Sequence, residues 1–529
     1  MSRWFRSISP LQRAGLRAGA CLGFPLLTGL LTGQRLVFMM AAVGAVWVLA
    51  QDGVDRWRDR RPRMVSAALA SGLGIFVGAA AAGAIHAAWL SWLVIALAAV
   101  AAGWLEAGMK WAAAGMQFLL GVIVGGGLAT SRAPWVFAVA VAAGGLLVVL
   151  AAMSSDHRNR SHDRRSVVAD TFDALAALVG CPGPADAAAA RRRAITALNV
   201  AEDAVSDVPG CRRLPGRAAA QPATACFAVA LQVAEAAATL PGLASEDAPV
   251  LAGVLVRAAR LLRAGSEAGA LTALSESGTA LAARARTPAQ SCRARALLPP
   301  PEYPARWAPR PVRPGLPARE RARFAVLLAG ACVLAAAIGH VMHGPRAYWL
   351  PLTVAFVMRP DLGPVIRRGA ERTAGTLAGV AAAALIGLLT RNDYALLGFG
   401  VICVSMLPAA ARRGHMFVVS SFTPIVFVLL ALVGKDEHVL VPRVVDTIVG
   451  AGIVMIVDLL CWTRAPSLRP AAQIDRAEAA AGAYVSAVPK IDPGWRHLLR
   501  REAFRAVAHA RLAVQLASAE PHPSRRPQT

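Results

Sequence analysis

What most constrains this chain is a recurring apolar run long enough to cross a bilayer, which takes roughly 20 consecutive apolar residues in helical form. Six such runs lie near residues 14–32, 35–51, 64–84, 87–105, 111–130 and 134–153. Six more lie near 323–342, 346–358, 373–390, 393–410, 414–433 and 439–462. The pattern predicts an all-α membrane protein with about twelve transmembrane helices. Composition agrees: 56% of the 529 residues are hydrophobic and 16% are charged, against about 25% charged in an ordinary soluble domain. A disordered polyelectrolyte is excluded, since it needs low hydrophobicity.

The charge is lopsided, with 56 Lys+Arg against 31 Asp+Glu and a net +25. Its placement explains it. Arg3, Arg6, Arg13 and Arg17 precede the first run, and Arg56, Arg58, Arg60, Arg61 and Arg63 separate runs two and three. Arg158, Arg160, Arg164 and Arg165 follow run six, and Arg319, Arg321 and Arg323 precede run seven. Arg359, Arg367, Arg368 and Arg372 follow run eight, and Arg412 and Arg413 follow run ten. The alternate loops carry few cations: Arg35, Arg132, Arg346, Arg391, Lys435 and Arg443. Cytoplasmic loops retain Lys and Arg because they are not translocated. The expectation is a multi-pass cell-membrane protein with both termini cytoplasmic, in contact with the lipid bilayer. No nucleic-acid partner is needed to explain the charge. Ala18-Gly19-Ala20-Cys21 faintly resembles a lipoprotein site, but the apolar segment follows the cysteine, so an uncleaved first span is expected.

A shift of 311 places aligns Leu16, Gly19 and Cys21 with Leu327, Gly330 and Cys332, and Gly33, Arg35, Arg56 and Arg61 with Gly344, Arg346, Arg367 and Arg372. Each half therefore reads as six spans followed by a helical segment, and an even span number makes the copies parallel. The expected divisions are a first bundle at 1–153, a cytoplasmic helical domain at 154–298, a Pro-rich linker at 299–322, a second bundle at 323–463 and a cytoplasmic helical tail at 464–529. Within 154–298, Val168, Phe172, Leu175 and Val179 mark one helix face, and further helices fit 185–206, 222–240, 247–264 and 267–286. Eight prolines stiffen 299–317.

The most distinctive stretch runs from Arg346 to Gly379. It reads Ala347-Tyr348-Trp349-Leu350-Pro351-Leu352-Thr353-Val354, then Met358-Arg359-Pro360-Asp361, then Arg372-Thr373-Ala374-Gly375-Thr376-Leu377-Ala378-Gly379. This resembles the fusaric acid resistance family of integral membrane transporters, which includes bacterial aromatic carboxylic acid efflux proteins. The sharp part covers roughly residues 339–460. The first half keeps the architecture but has no Arg-Pro-Asp, and reads as a diverged copy. The resemblance implies anion transport more firmly than any one substrate.

Several residues inside or beside the spans carry chemistry. In Trp349-Leu350-Pro351-Leu352-Thr353, the proline removes a backbone donor inside a span. That arrangement suits either a broken-helix site for a planar acid or a plain kink. Arg359 and Asp361 can pair across the turn or present a fork to a carboxylate, and Arg367 and Arg372 add positive charge at the inner mouth. Ser421 and Thr423 precede Pro424 in span eleven and can line a path or bond within their own helix. Gly375 and Gly379 form a GxxxG, read as helix packing. Acids within spans default to functional candidates, so Asp446, with Arg443 three residues before it, and Asp458 are the candidates for proton coupling. His340 and His343 can also titrate near the outer end of span seven.

The eight cysteines form no CxxC and no metal-ligand spacing, and no Gly-rich loop is followed by Lys-Ser/Thr. No cofactor, metal or catalytic pattern is expected. Three readings stay open: a proton-driven exporter of small organic anions, aromatic carboxylates among them; an anion channel on the same scaffold; and a membrane scaffold whose cytoplasmic helices recruit a partner. Homo-oligomerisation is compatible with all three.

Overall fold

The computed structural model describes residues 10–52, 57–84, 88–107, 111–127, 133–181, 184–206, 222–239, 248–299, 316–343, 348–358, 365–434, 440–457, 470–487 and scattered positions from 499 to 514. Among the described residues every regular element is a helix. The first half contributes α1 (Pro10–Thr32), α2 (Arg35–Leu49), α3 (Trp57–Ala84), α4 (Ala88–Ala107), α5 (Ala112–Gly126) and α6 (Pro134–Val179). A helical layer follows: α7 (Pro184–Ser206), α8 (Pro222–Thr239), α9 (Ala248–Arg263), α10 (Glu267–Arg284) and α11 (Pro288–Arg295). The second half contributes α12 (Ala318–His343), α13 (Trp349–Val357), α14 (Val365–Leu389), α15 (Asp393–Arg413), α16 (His415–Leu432) and α17 (Leu440–Val457). Helix α18 (Pro470–Ala487) lies in the tail.

Among the described residues, eight helices are long and apolar enough to cross a membrane: α1, α3, α4, the first part of α6, α12, α14, α15 and α16. The other four expected spans have shorter described helices. Apolar helices α2 and α5, and the Val444–Val457 stretch of α17, are shorter. Helix α13 has nine residues, a length of about 14 Å against a hydrocarbon core of about 30 Å. Gly344-Pro345 before it and Arg359-Pro360 after it bound the apolar run on both sides.

Helix α6 departs from expectation in the other direction. It runs 46 residues without a break, about 70 Å. The sequence from Leu146 to Val179 contains neither Gly nor Pro, so nothing interrupts the backbone where hydropathy falls after Met153. It stops at Gly180, the first residue of the Gly-Cys-Pro-Gly-Pro breaker. The same helix thus serves two apolar cores. Phe137 and Val141 join the core shared by both membrane halves, while Val168, Phe172, Leu175 and Val179 pack with α7 to α11. On that second surface Arg263 bridges Asp170 and Asp173, one turn apart on α6, at 2.7 and 2.5 Å.

The helices of the two halves meet in matching pairs. In the first half α1 packs on α2 and α6, α2 on α3 and α6, α3 on α5 and α6, and α4 on α5. In the second, α12 packs on α13 and α17, α13 on α14 and α17, α14 on α16 and α17, and α15 on α16. Contacts between the halves are exchanged in the same way: α1 lies on α15, and α4 on α12. Glycines permit these approaches. A methyl group at Gly103 of α4 would stand 2.7 Å from the Ala325 Cα of α12. Gly15 and Gly19 of α1 face Ser405 of α15 as closely. Within the halves, Gly375 and Gly379 of α14 lie against Met416 and Thr423 of α16, and Gly74 and Gly78 of α3 lie against Phe118 and Val122 of α5. The GxxxG of the second half is therefore a packing motif, as read from sequence, and the first half carries one of its own.

Candidate functional site

Among the described residues, the buried polar residues of the second half lie on three mutually packed helices, with Thr423 on a fourth, α16. Helix α13 supplies Thr353, α14 supplies Arg372 and Thr376, and α17 supplies Asp446 and Thr447. A methyl group at Gly450 of α17 would stand 2.8 Å from the Thr353 Cγ2, which sets how closely α17 lies on α13. Arg372 is 7% exposed and Asp446 1%. Buried charges on this scale carry a desolvation cost of several kcal/mol each unless compensated. Both are engaged by neighbouring groups. The Arg372 guanidinium carbon lies 5.1 Å from the centre of the Phe356 ring, a cation–π contact. Phe356 in turn meets Phe422 of α16 edge-on, with ring centres 6.4 Å apart. The result is a guanidinium faced by the Phe356 ring, with a buried carboxylate on a helix that packs against its own.

The residues expected from sequence take different places. Trp349, Pro351 and Thr353 are all buried in α13. Of the two readings, a broken helix or a kink at Pro351, neither occurs within α13: the helix begins at Trp349, so Pro351 falls in its first turn. Backbone N–H groups there have no intrahelical partner, and a proline is tolerated without a kink. The Trp349 carbonyl accepts the Thr353 hydroxyl at 3.1 Å. In α16, Pro424 does lie inside the helix. Thr423 donates its hydroxyl to the Val419 carbonyl at 2.9 Å, while Ser421 is half-buried. Arg372 and Asp446 join the site just described. Arg359, Asp361 and Asp458 lie outside the described residues, as do the side chains of Arg367, Arg443 and His343. His340 packs edge-on to Trp92, ring centres 6.0 Å apart, across the α12–α4 contact between the halves.

Sequence reasoning did not single out Phe356 and Phe422. Phe356 shares the short helix with Trp349 and Thr353, and Phe422 sits between Ser421 and Thr423, but apolar residues in apolar runs give no signal of their partners. A second omission lies in the first half. Asp52, just beyond α2, forms ion pairs with Arg17 of α1 and with Arg60 of α3, the latter at 3.2 Å, with all three side chains nearly buried. Arg63 donates to the Gln51 carbonyl at 2.9 Å. The first half lacks Arg-Pro-Asp but keeps an acid beyond its second helix, as Asp361 stands beyond α13. Among the described residues no group of His, Cys, Asp and Glu could hold a metal ion.

No solved structure matches this chain. An uncharacterized protein of Synechocystis sp. is 26% identical over 125 residues, 23% of this chain and 17% of that protein. An uncharacterized protein of Neisseria gonorrhoeae is 26% identical over 136 residues, 26% of this chain and 32% of that protein. The chain thus spans a third or less of each of these relatives. Residues 334–457 match the family described as fusaric acid resistance protein-like. That stretch holds Trp349, Phe356, Arg372, Phe422 and Asp446 together. Over that stretch the chain, with its several helices long and apolar enough to cross a membrane, is similar to fusaric acid resistance proteins.

Proposed function

We propose that this chain is a secondary transporter that exports small organic anions, aromatic carboxylates among them, across the cell membrane in exchange for protons. The observation that carries the reading is the buried Arg372 on α14, held against Phe356, on a helix that packs against the one carrying the buried Asp446, all within the family-matched stretch. A guanidinium is a fork-shaped donor suited to a carboxylate. A buried carboxylate beside the path is the kind of group that can take up a proton as the anion leaves.

The arginine distribution supports an orientation with both termini, α7 to α11 and α18 on the cytoplasmic side. The matching helix pairs of the two halves support two parallel six-helix repeats that rock against each other, with the path between or within them. Arg359, Arg367 and Arg372 would concentrate anions at the inner mouth, with Asp361 pairing with Arg359 across the turn. Ser421 and Thr423 of α16 would border the path, with Asp446 and Asp458 as coupling acids.

The test is uptake of labelled organic acids by inverted vesicles. Exchange with protons requires that an acid-inside gradient drive accumulation even when the voltage is clamped at zero. Accumulation that follows voltage alone would make the protein an anion channel. No transport of any acid, with a partner lost when 154–298 is deleted, would make it a scaffold.

A further inference from the structure

We propose that the tail dimerises this protein: the groove between α18 and the helical residues of 499–514 docks on the same groove of a second copy of the chain. The groove is open, with a volume of about 410 Å³. Ile474, Ala477 and Ala481 of α18 form one wall, and Val507, Ala510 and Val514 form the other. The internal repeat shows what covers such a surface. A shift of 309 places aligns Arg191, Arg192 and Ala194 of α7 with Arg500, Arg501 and Ala503. The same shift sets Ala477 and Ala481 on Val168 and Phe172 of α6, and Val507, Ala510 and Val514 on Leu198, Ala201 and Val205 of α7. Those five residues of the first half are buried in one core, where α8 and α9 pack on α6 and α8 also packs on α7. The tail thus repeats the first two helices of that layer, and its groove is the face that α8 and α9 cover there.

A helix like α9 does not suit the tail. Arg263 fastens α9 to Asp170 and Asp173, and the tail has Ala479 and Gly482 at those places. Alanine in place of Val168 and Phe172 also widens the groove, so its occupant must bring bulk of its own. A second tail brings it. Ile474, Val485 and Val514 stand exposed, and Val485, 67% exposed, is the counterpart of the buried Ala176. These side chains are the knobs for a hole lined by Ala477, Ala481 and Ala510. The charges select the arrangement. Glu478 on α18 and Arg511 on the other wall are exposed and line the groove, and they form no ion pair with each other. A two-fold axis along the helices lays α18 of each copy over 499–514 of the other. Each Glu478 then faces Arg511 of the second copy, so the same patch is complementary to itself in charge as well as in shape. A groove carrying one sign of charge would repel its own copy.

Subunit counting by single-molecule photobleaching of the labelled full chain in lipid vesicles, over a range of protein densities, tests this without reference to transport. The wild type is expected to be dimeric. Ile474→Lys puts a charge at an exposed position on the groove wall and should give monomers; Val514→Lys serves where that variant is missing from the membrane. Glu478→Arg and Arg511→Glu each set like charges across both rims, and each should weaken the dimer by roughly 2- to 30-fold, the range for losing two exposed ion pairs. The double variant Glu478→Arg/Arg511→Glu should restore wild-type pairing. A wild type that is monomeric at every density overturns the proposal. A dimer that survives the lysine variants and both reversals is held elsewhere on the molecule and overturns it too. Failure of the double variant to recover removes the Glu478–Arg511 pairing that selects a second copy, and the proposal falls with it.

Discussion

Arg35, just beyond α1 in the first membrane half, holds Asp393 at the start of α15 in the second, Nη1 to Oδ2 at 2.8 Å. The same nitrogen donates to the Leu432 carbonyl at the end of α16, 3.2 Å away. One side chain thus ties one half to two helix ends of the other, at the end of α1 opposite the Arg17–Asp52–Arg60 cluster. A transporter whose halves rock must break or swing such a tie once per cycle.

The tie is partly exposed, so its stability value is small: about 0–1 kcal/mol for Arg35→Ala. Its expected effect is on turnover. A cysteine pair at positions 35 and 393 should stop transport when oxidised and restore it when reduced. The charge-swapped Arg35→Glu/Asp393→Arg protein should move substrate faster than either single variant. Uptake in vesicles measures both, and full transport by the oxidised pair would show that this end of the interface stays closed throughout.

Glycines separate into two groups by what a side chain would strike. At Gly375 an added methyl meets the Met416 carbonyl oxygen at 2.6 Å, and at Gly379 it meets the Thr423 Cβ at the same distance. A backbone oxygen cannot swing away, so Gly375→Ala should destabilise by about 1–3 kcal/mol. At Gly387 and Gly398 nothing lies within 4 Å. Alanine there removes glycine's helix penalty, about 0.5–1 kcal/mol, and should raise or preserve the melting temperature in detergent. Melting curves of the three variants decide it, and equal effects at all three would contradict the packing of α14 on α16.

Asp446 lies within α17, almost fully buried. If it takes up the coupling proton, Asp446→Asn should still exchange labelled for unlabelled acid yet lose accumulation driven by a pH gradient. Counterflow and gradient-driven uptake in the same vesicles separate the two. Wild-type accumulation in the variant would remove Asp446 from the coupling step.

Cys226 in α8 is buried among α7 to α11, and its thiol is pushed from 9.0 up to about 12, first by burial and then by the nearby Glu267 carboxylate. The folded form holds the proton over a range where the unfolded chain has released it. This contribution to stability is fully present below pH 9 and is lost as pH rises from 9 towards 12. Cys226 should therefore resist alkylation at pH 8 until the helices unfold, and resistance should fall above pH 9. Mass spectrometry of the alkylated peptide checks this, and rapid native labelling at pH 8 would contradict it.

Much of the architecture was legible because membrane helices announce themselves by uninterrupted apolar length. The helices between Val167 and Arg284 were legible too, since Pro and Gly clusters bound them and a periodic apolar face runs along each. What stayed hidden depended on partners. Pro351 looks like a helix breaker in sequence; only the start of α13 at Trp349 shows that it opens the helix. Arg35 was counted as one of the few cations on its side, and nothing in its neighbourhood in sequence points to Asp393. Asp52 has the same history: its partners, Arg17 and Arg60, come from two other helices. Phe356 and Phe422 are indistinguishable in sequence from residues that face lipid. Arg372 and Asp446 were visible as charges in apolar surroundings, which is a cost that local sequence alone can register.

The central claim is that Arg372 binds the transported anion. Benzoate uptake by inverted vesicles, at equal amounts of wild-type and Arg372→Gln protein under an acid-inside gradient, tests it most directly. A charge-assisted hydrogen bond removed from a buried site costs about 1.5–3 kcal/mol. Uptake by the variant at low substrate should accordingly fall by roughly 10- to 150-fold, towards that of vesicles lacking the protein. Wild-type uptake by an Arg372→Gln protein of unchanged abundance and melting temperature would contradict the account.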